Sequence, residues 1–409
     1  MNRLAVNSLK TFSALIIIVV FCFAAGCSEN TENSTGLVLL PSSIVGDLPT
    51  QKRFDQAFDI RTVPGEPANK GEQTRIYVGN MSQYEMRTLL AFRVVLPDNA
   101  EIITAQLNLY VVSIKGELPV RLSVHLLERE FVENEVTYQI AAEGEPWSTP
   151  GGDYQSSALG EAVFEGNEID TVVVDLDIKV LNSKLSAADT TLPMIVLTDR
   201  EESVLGLLSW ESYPDQPIAS RLDLVFDLPP ETETYLLERR SFSDATITNY
   251  QGPAAKPEYL LVGEIPASQV FFSYDLSGLP PLATVNRAWL HLSIADAVVV
   301  DTFQVATYAV VKEPENISYV STSTDIVGTP QSVKSGDSAL EIDVSKALQA
   351  LILYGESGSN YKYLVISSYG KGNLAGYMEL YPSDWPDSSL RPYLQLVYTD
   401  VPEAAKPKK

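Results

Sequence analysis

Side chains that usually carry out catalysis are scarce in this sequence, with the exception of carboxylates. The 409 residues include 53 Asp and Glu but only two His and two Cys. The sequence has no Gly-x-Ser-x-Gly elbow, no Cys–His pair and no His-Glu-x-x-His helix, which mark nucleophilic and zinc-dependent hydrolases. His125 and His291 each alternate with apolar residues, which predicts outward-facing positions on strands. Both kinds of hydrolase are therefore disfavoured.

Paired carboxylates are the one catalytic arrangement that the composition permits, because two acids facing across a cleft can cleave a glycosidic bond. Glu133 and Glu135 lie close in sequence, but residues two apart on a strand point the same way and are typical of a solvated edge. Asp175 and Asp177 could hold a structural calcium, although no Asp-x-Asp-x-Asp-Gly loop is present. We expect no enzymatic activity, no catalytic residue and no cofactor, and a structural calcium stays open without a supporting motif.

The aromatic residues, 20 Tyr, 13 Phe and 4 Trp, are a more informative set. Sugar rings present C–H faces that stack on an exposed indole or phenol. The candidate ligand-binding residues lie near Pro and acidic residues: Trp147, Trp210, Tyr213, Tyr381 and Trp385. The alternative is that each ring anchors a loop by packing on the edge of a sheet.

The charge balance limits the possible ligands. The formal net charge is −24 at pH 7, with 29 Lys and Arg against the acids. A chain of this charge repels polyanions, which argues against nucleic acid and against an anionic polysaccharide.

The start of the chain has the three-part order of a secretory signal peptide. Basic residues precede an apolar stretch from Phe12 to Phe23, and small residues then lead to Cys27. The stretch is shorter than the ~20 apolar residues that a membrane-spanning helix needs. It resembles a bacterial lipobox, which implies that residues 1–26 are removed and that Cys27 is lipidated; an ordinary signal peptide is the alternative. Ser28, where Asp would retain a lipoprotein at the inner membrane, favours an outer-membrane location by the same resemblance.

One strand pattern occurs twice in the chain. Apolar and polar residues alternate in 105–111 and again in 288–294, which is typical of strands with one buried face. These two segments are 288 − 105 = 183 residues apart, and a second matched pair, Leu224 and Leu396, is 396 − 224 = 172 residues apart. A nearly constant separation with one step indicates two copies of one unit, of which the second has a long deletion.

The copies define the expected organisation of the chain. Pro229 and Pro230 interrupt the strand pattern between them. Many short strands with one short helix per copy, at 175–185 and at 343–355, predict an all-β fold of two tandem antiparallel β-sandwich (jelly-roll) domains. The predicted parts are a signal peptide (1–26), a tether (27–46), a first domain (47–228), a second domain (229–400) and a disordered tail (401–409).

Several short segments of the first copy occur in a recognisable order. They are Tyr77-Val78-Gly79, 89–93, 105–110, 131–138 and Trp147-Ser148-Thr149-Pro150-Gly151-Gly152-Asp153. In this order they resemble the DNRLRE domain family, which is similar to disaggregatase-related repeats and to carbohydrate-binding module family 96. The resemblance covers most of 50–227 and, more weakly, 231–400, where the Trp147 loop is missing. It implies jelly rolls that are attached to, or accompany, polysaccharide-degrading enzymes.

These observations lead to two functional hypotheses. The first is a lipid-anchored, non-catalytic envelope protein that binds polysaccharide or is associated with it through its jelly-roll modules. The second is a structural or adhesive envelope lipoprotein that binds a protein partner and no sugar. The expected partners are the membrane, through the lipid on Cys27, and a polysaccharide or an envelope protein, but no nucleic acid. Fold analogy alone does not choose between the hypotheses.

Overall fold

The structure is a computed structural model, and it describes most of the chain from Pro49 onward. The described residues are 49–55, 57, 59–64, 73–166, 170–185, 190–212, 219–230, 233–280, 282–300, 303–310, 328–355, 363–369 and 375–400. Residues Thr50–Tyr398 form one compact unit.

The described residues contain 24 strands and two α-helices. In chain order the strands are β1 (Thr50–Phe54), β2 (Asp59–Pro64), β3 (Arg75–Met81), β4 (Tyr84–Val94), β5 (Glu101–Gly116), β6 (Val120–Leu126), β7 (Ile140–Ala142), β8 (Glu145–Pro146), β9 (Gly160–Phe164), β10 (Asp170–Asp175), β11 (Thr190–Thr198), β12 (Ser203–Leu208), β13 (Arg221–Asp227), β14 (Thr234–Arg240), β15 (Ser243–Tyr250), β16 (Leu260–Glu264), β17 (Ala267–Ser273), β18 (Thr284–Val299), β19 (Phe303–Val310), β20 (Gln331–Val333), β21 (Ala339–Asp343), β22 (Tyr363–Ser368), β23 (Gly376–Leu380) and β24 (Tyr393–Thr399). The helices are α1 (Ile178–Lys184) and α2 (Ser345–Gly355).

The strands form two antiparallel sheets of eleven strands each and a small ribbon of β7 and β8. The first sheet has the order β14-β13-β5-β12-β3-β4-β11-β6-β9, with β10 paired to β5 and β15 paired to β4. The second has the order β1-β24-β18-β23-β16-β17-β22-β19-β20, with β21 paired to β18 and β2 paired to β17. The two orders match strand for strand, as expected for a duplicated unit. We call the first sheet with α1 lobe 1, and the second with α2 lobe 2.

Each lobe takes two strands from the other side of the predicted copy boundary. β14 and β15 follow residue 229, yet they pair with β13 and β4 of lobe 1. β1 and β2 come at the start of the first copy, yet they pair with β24 and β17 of lobe 2. The boundary between residues 228 and 229 therefore stays a prediction about where the two sequence copies meet. Each sheet contains strands from both sides of that boundary.

Alternating burial produces the two cores. On β5, Leu107, Leu109 and Val111 are fully buried, and on β18 Leu290 and Leu292 are buried in the same way. Each sheet curls so that these side chains meet residues of its own lobe, with separate clusters in lobe 1 and lobe 2. Burial of one face of each strand is the main source of stability for such sheets.

A third apolar cluster joins the lobes. It includes Tyr77 and Tyr84 of lobe 1 together with Tyr377 of lobe 2. The hydroxyl of Tyr84 donates to the carbonyl oxygen of Ile265 at 2.6 Å, and the hydroxyls of Tyr250 and Tyr377 lie 2.9 Å apart. The buried rings therefore satisfy their polar ends across the contact.

Both predicted helices form close to their predicted positions. The Asp177 carboxylate accepts hydrogen bonds from the N–H groups of Lys179 and Val180, which caps α1. Before α2, Asp343 accepts from the N–H of Ser345 at 2.8 Å. The predicted fold class is confirmed, because the chain is nearly all β and has two large curled antiparallel sheets, consistent with two β-sandwich domains. No helix among the described residues is long and apolar enough to cross a membrane.

Candidate functional site

Three aromatic rings of lobe 2 gather at one end of the sheet, and we call them the lobe 2 aromatic cluster. The rings of Tyr259 and Trp385 stack with their centroids 5.2 Å apart. Tyr381 meets both edge-on, at 5.5 Å from Tyr259 and 5.0 Å from Trp385. All three residues are half-buried, so part of each ring stays accessible to solvent. Sequence analysis had proposed Tyr381 and Trp385 but not Tyr259.

The register of two strands explains why these rings meet. Leu260 of β16 is paired with Leu380 of β23, so Tyr259 and Tyr381, one residue beyond each, emerge side by side at the strand ends. Trp385 follows in the loop after β23, and its carbonyl oxygen accepts a hydrogen bond of 2.6 Å from Nε of Arg391. Strand pairing and this bond thus fix the loop that carries the indole.

A buried carboxylate supports one side of the cluster. Glu379 is almost fully buried, and its Oε1 accepts from the N–H of Lys256 at 2.9 Å. Its Oε2 lies 4.0 Å from the Lys256 Nζ, which in turn lies 5.5 Å from the centroid of the Tyr259 ring. The ammonium thus neutralises the buried acid and covers part of one phenol face.

The loop that carries Trp385 also presents acids. Asp384 and Asp387 are both exposed. The pKa of Asp387 is lowered because the hydroxyl of Ser389 donates to its carboxylate, as does the Ser389 N–H. Asp387 is therefore ionised at neutral pH, and the rim of the cluster offers hydrogen-bond acceptors beside the rings.

Trp147, the strongest sequence candidate, is 4% exposed and packs with Leu89, Ile195 and Ala245 in lobe 1. Its Nε1 donates to the carbonyl oxygen of Thr137 at 3.0 Å. The ring is therefore covered on the surface of the lobe, as expected for a residue that anchors its loop.

The loop around Trp147 is closed by its own hydrogen bonds. Burial opposes ionisation of Asp153, yet its pKa is lowered because the N–H groups of Ser148 and Thr149 donate to its carboxylate. Gly151 has a φ of +93°, and Nη1 of Arg87 donates to its carbonyl oxygen at 2.7 Å. A side chain at this φ would be strained, and its Cβ would also lie 2.5 Å from that same Arg87 nitrogen, which explains the glycine.

The other candidates are placed apart from the cluster or lie outside the described residues. Trp210 is 36% exposed and begins a short 3₁₀-helix, Trp210–Ser212, of lobe 1. Tyr213 and Cys27 lie outside the described residues.

The residues considered for catalysis or calcium have structural hydrogen bonds. Glu135 accepts from the N–H of Glu143 at 2.8 Å. Glu133 accepts from the N–H of Asp244 at 3.2 Å. Of the two acids considered as calcium ligands, Asp177 caps α1 and Asp175 accepts from Nε2 of Gln106 at 2.9 Å. Among the described residues, neither pair by itself forms a group of acids spaced to hold an ion.

The structure corrects the exposure expected for one histidine. His125 lies on the face of β6 opposite Leu122, Val124 and Leu126, as predicted, but it is only 7% exposed because the segment after β8 covers that face. Its Nδ1 lies 2.8 Å from the carbonyl oxygen of Gln155, and its ring meets Tyr154 edge-on. His291 lies at the surface of β18, where its ring stacks on Tyr393 with centroids 4.3 Å apart.

Comparison with known proteins assigns no family. No protein-family model matches the chain, and no curated protein is significantly similar to it.

Proposed function

We propose that this chain is a lipid-anchored, non-catalytic protein of the bacterial cell envelope that binds polysaccharide through the lobe 2 aromatic cluster. The observation that supports the proposal is the grouping of Tyr259, Tyr381 and Trp385 as half-exposed rings beside charged groups. Indole and phenol faces stack on the C–H faces of sugars, while neighbouring acids accept hydrogen bonds from sugar hydroxyls.

The ligand class follows from the charge. A net charge of −24 and the exposed acids Asp384 and Asp387 at the rim repel an anionic polymer. A neutral polysaccharide, whose hydroxyl groups donate to carboxylates, suits this rim.

The two lobes differ at the position of one of the rings. Val78 and Val262 are matched positions of the two copies. Three residues before Val78 lies Arg75 in lobe 1, and three residues before Val262 lies Tyr259 in lobe 2. Lobe 1 therefore has a guanidinium where lobe 2 has a phenol. The proposal accordingly assigns the sugar contact to lobe 2 rather than to two equal modules.

The envelope location is part of the same proposal and rests on the sequence. The signal-like segment before Cys27, with Ser28 after it, supports lipidation and an outer-membrane location. Several acyl chains anchor a protein more firmly than a single chain does, at about 0.8 kcal/mol per buried methylene. The resemblance to the DNRLRE family supports an association with polysaccharide.

A glycan array tests the sugar contact directly. A soluble form, residues 28–409, is applied together with Trp385→Ala and Tyr259→Ala, which each remove one of the stacked rings. Loss of a ring that stacks on a bound sugar is expected to weaken binding by about tenfold or more, since such contacts contribute roughly 0.5–1.5 kcal/mol in addition to the apolar area that they bury.

The matched control is Trp289→Ala, which removes an indole from β18 of the same lobe, where it lies under Arg287 outside the cluster. Binding by the control and the wild type but not by the two cluster variants supports the proposal. A blank array, or equal binding by all four proteins, would contradict it and favour the adhesive lipoprotein with a protein partner. Release of soluble products from a bound polysaccharide would contradict the non-catalytic part.

A further inference from the structure

A group of three acids in lobe 1 lies outside the lobe 2 aromatic cluster. Glu133 follows β6, Glu211 lies on the 3₁₀-helix Trp210–Ser212, and Asp244 lies on β15. One carboxylate oxygen from each lies within 4.8 Å of the other two. Three distant segments of the chain therefore bring carboxyl groups to one point, where burial and mutual repulsion disfavour their ionised forms unless something compensates.

Asp244 is the most unusual member, because it is fully buried. Its Oδ2 accepts from the N–H of Trp210 at 2.9 Å and from the hydroxyl of Ser241 at 3.0 Å. Its Oδ1 is also buried and has no hydrogen-bond partner. A buried carboxylate oxygen without a partner is costly, and native structures usually satisfy such an atom with a hydrogen bond or an ion.

The electrostatics of the group agree with this geometry. Burial is the main reason that the pKa of Asp244 is raised to about 8, and the nearby Glu211 and Glu133 carboxylates act in the same direction. A cation among the three oxygens would favour the ionised carboxylates, because its positive charge offsets both the burial of Asp244 and the repulsion from the other two acids.

The oxygen ligands and their spacing indicate the class of cation. Carboxylates without His or Cys suit a hard ion. Calcium binds oxygens at about 2.3–2.6 Å, so two oxygens on the same ion lie at most about 5 Å apart, which accommodates the observed group. Magnesium requires shorter bonds and usually retains several waters, so it is less suited to a site built from three protein carboxylates.

Catalysis is a poorer explanation of the same group. A glycosidase needs its two carboxyl groups about 5 Å or more apart across an open cleft. Asp244 has no exposed surface, so a sugar chain does not reach it.

We propose that Glu133, Glu211 and Asp244 form a Ca²⁺ site that ties the Trp210–Ser212 helix and the segment after β6 to β15 of lobe 1. The site is independent of sugar binding, which is assigned to lobe 2.

The test uses the soluble chain of residues 28–409 after removal of metal by a chelator. Ca²⁺ is titrated by calorimetry, thermal unfolding is recorded with and without Ca²⁺, and Tb³⁺ luminescence excited through tryptophan reports a lanthanide close to Trp210. One ion per chain and a higher melting temperature with Ca²⁺ are expected, since a ligand that binds only the folded state stabilises it.

The variants Asp244→Asn, Glu211→Gln and Glu133→Gln preserve side-chain shape and remove one charge each. Each is expected to weaken Ca²⁺ binding by about tenfold or more and to reduce the luminescence. The control Glu143→Gln changes an exposed acid outside the group and is expected to bind as the wild type does. Should Asp244→Asn fail to fold, Glu211→Gln, on the partly exposed helix, gives the same comparison.

Two results would overturn the proposal. One is the absence of binding and of stabilisation by Ca²⁺ up to about 10 mM, well above the range of extracellular calcium sites. The other is binding of one Ca²⁺ with equal affinity by the wild type, Glu211→Gln and Glu133→Gln.

Discussion

The exchange of strands between the lobes predicts that a mutation in one sequence copy destabilises the lobe built mainly from the other. Ile247 lies on β15, after the predicted copy boundary, yet it is 1% exposed and packs with Leu89 and Ile195 of lobe 1. Ile247→Ala deletes three buried carbons from this cluster. Substitutions of this kind cost about 2–5 kcal/mol, and we expect a value in that range because the buried side chains packed around Ile247 belong to sheet strands that restrict collapse.

Native-state hydrogen exchange followed by mass spectrometry resolves which lobe is affected. Where exchange proceeds through lobe-wide opening, a loss of about 2 kcal/mol accelerates it by roughly 30-fold, since about 1.4 kcal/mol corresponds to a factor of ten. We expect this acceleration in peptides from β4 and β11 and unchanged exchange in β17 and β22.

The reciprocal variant is Ile60→Ala on β2, which belongs to the first copy but packs against the core of lobe 2. Ile60 is only half-buried, so a smaller loss of about 1 kcal/mol is expected, confined to β17 and its neighbours. Acceleration in lobe 2 by Ile247→Ala, or in lobe 1 by Ile60→Ala, would refute the observed strand assignment. Equal acceleration in both lobes would refute lobe-wise opening.

Two further predictions concern lobe 1. Trp147→Ala is expected to lower the free energy of unfolding by about 3–5 kcal/mol, because it empties a buried site, and denaturant titration measures this; a loss below about 1 kcal/mol would contradict the loop-anchoring role. With chelator present, Asp244 binds a proton in the folded state up to its raised pKa of about 8, whereas unfolded Asp releases it near pH 4. The contribution of Asp244 to the free energy of unfolding is therefore expected to be greatest below pH 4. It is expected to fall by up to about 1.4 kcal/mol per pH unit between pH 4 and pH 8. Denaturant titrations across that range should lose this component in Asp244→Asn, and an unchanged slope would contradict it.

Local pattern was sufficient to predict several strands and both helices. The alternation in 105–111 and 288–294 identified the buried faces of β5 and β18, and Asp343 with its apolar periodicity located α2. These predictions succeeded because a strand with one buried face, or a capped amphipathic helix, is determined by residues a few positions apart.

The pairing of strands could not be predicted in the same way. β1 and β2 begin the first copy just as β14 and β15 begin the second, and nothing in their local sequence indicates which of two similar sheets they join. The choice depends on contacts between residues as distant as Thr50 and Tyr398. The same limit concealed Tyr259, whose neighbour Tyr381 is defined only by the β16–β23 register.

The residues of the acid group and of the Trp147 loop show a second limit. Glu133, Glu211 and Asp244 have no common motif, because each comes from a different segment. Trp147 occurs among Gly, Pro and polar residues that usually mark an exposed loop, yet Asp153 and Arg87 fold that loop back onto the sheet. The composition of a segment indicates a loop but does not show whether its largest side chain faces the solvent or the sheet.

The exchanged strands also bear on why two lobes accompany one proposed sugar-binding cluster. β17 of lobe 2 pairs along its length with β2, which the chain reaches before any strand of lobe 1. β4 of lobe 1 pairs with β15, which the chain reaches only after passing the predicted copy boundary. Neither half of the chain, divided at 228 and 229, contains all eleven strands of a sheet. Lobe 2 cannot therefore be complete without residues that lie before lobe 1 in the chain. Lobe 1 also contacts lobe 2 through the apolar cluster that contains Tyr84 and Tyr377.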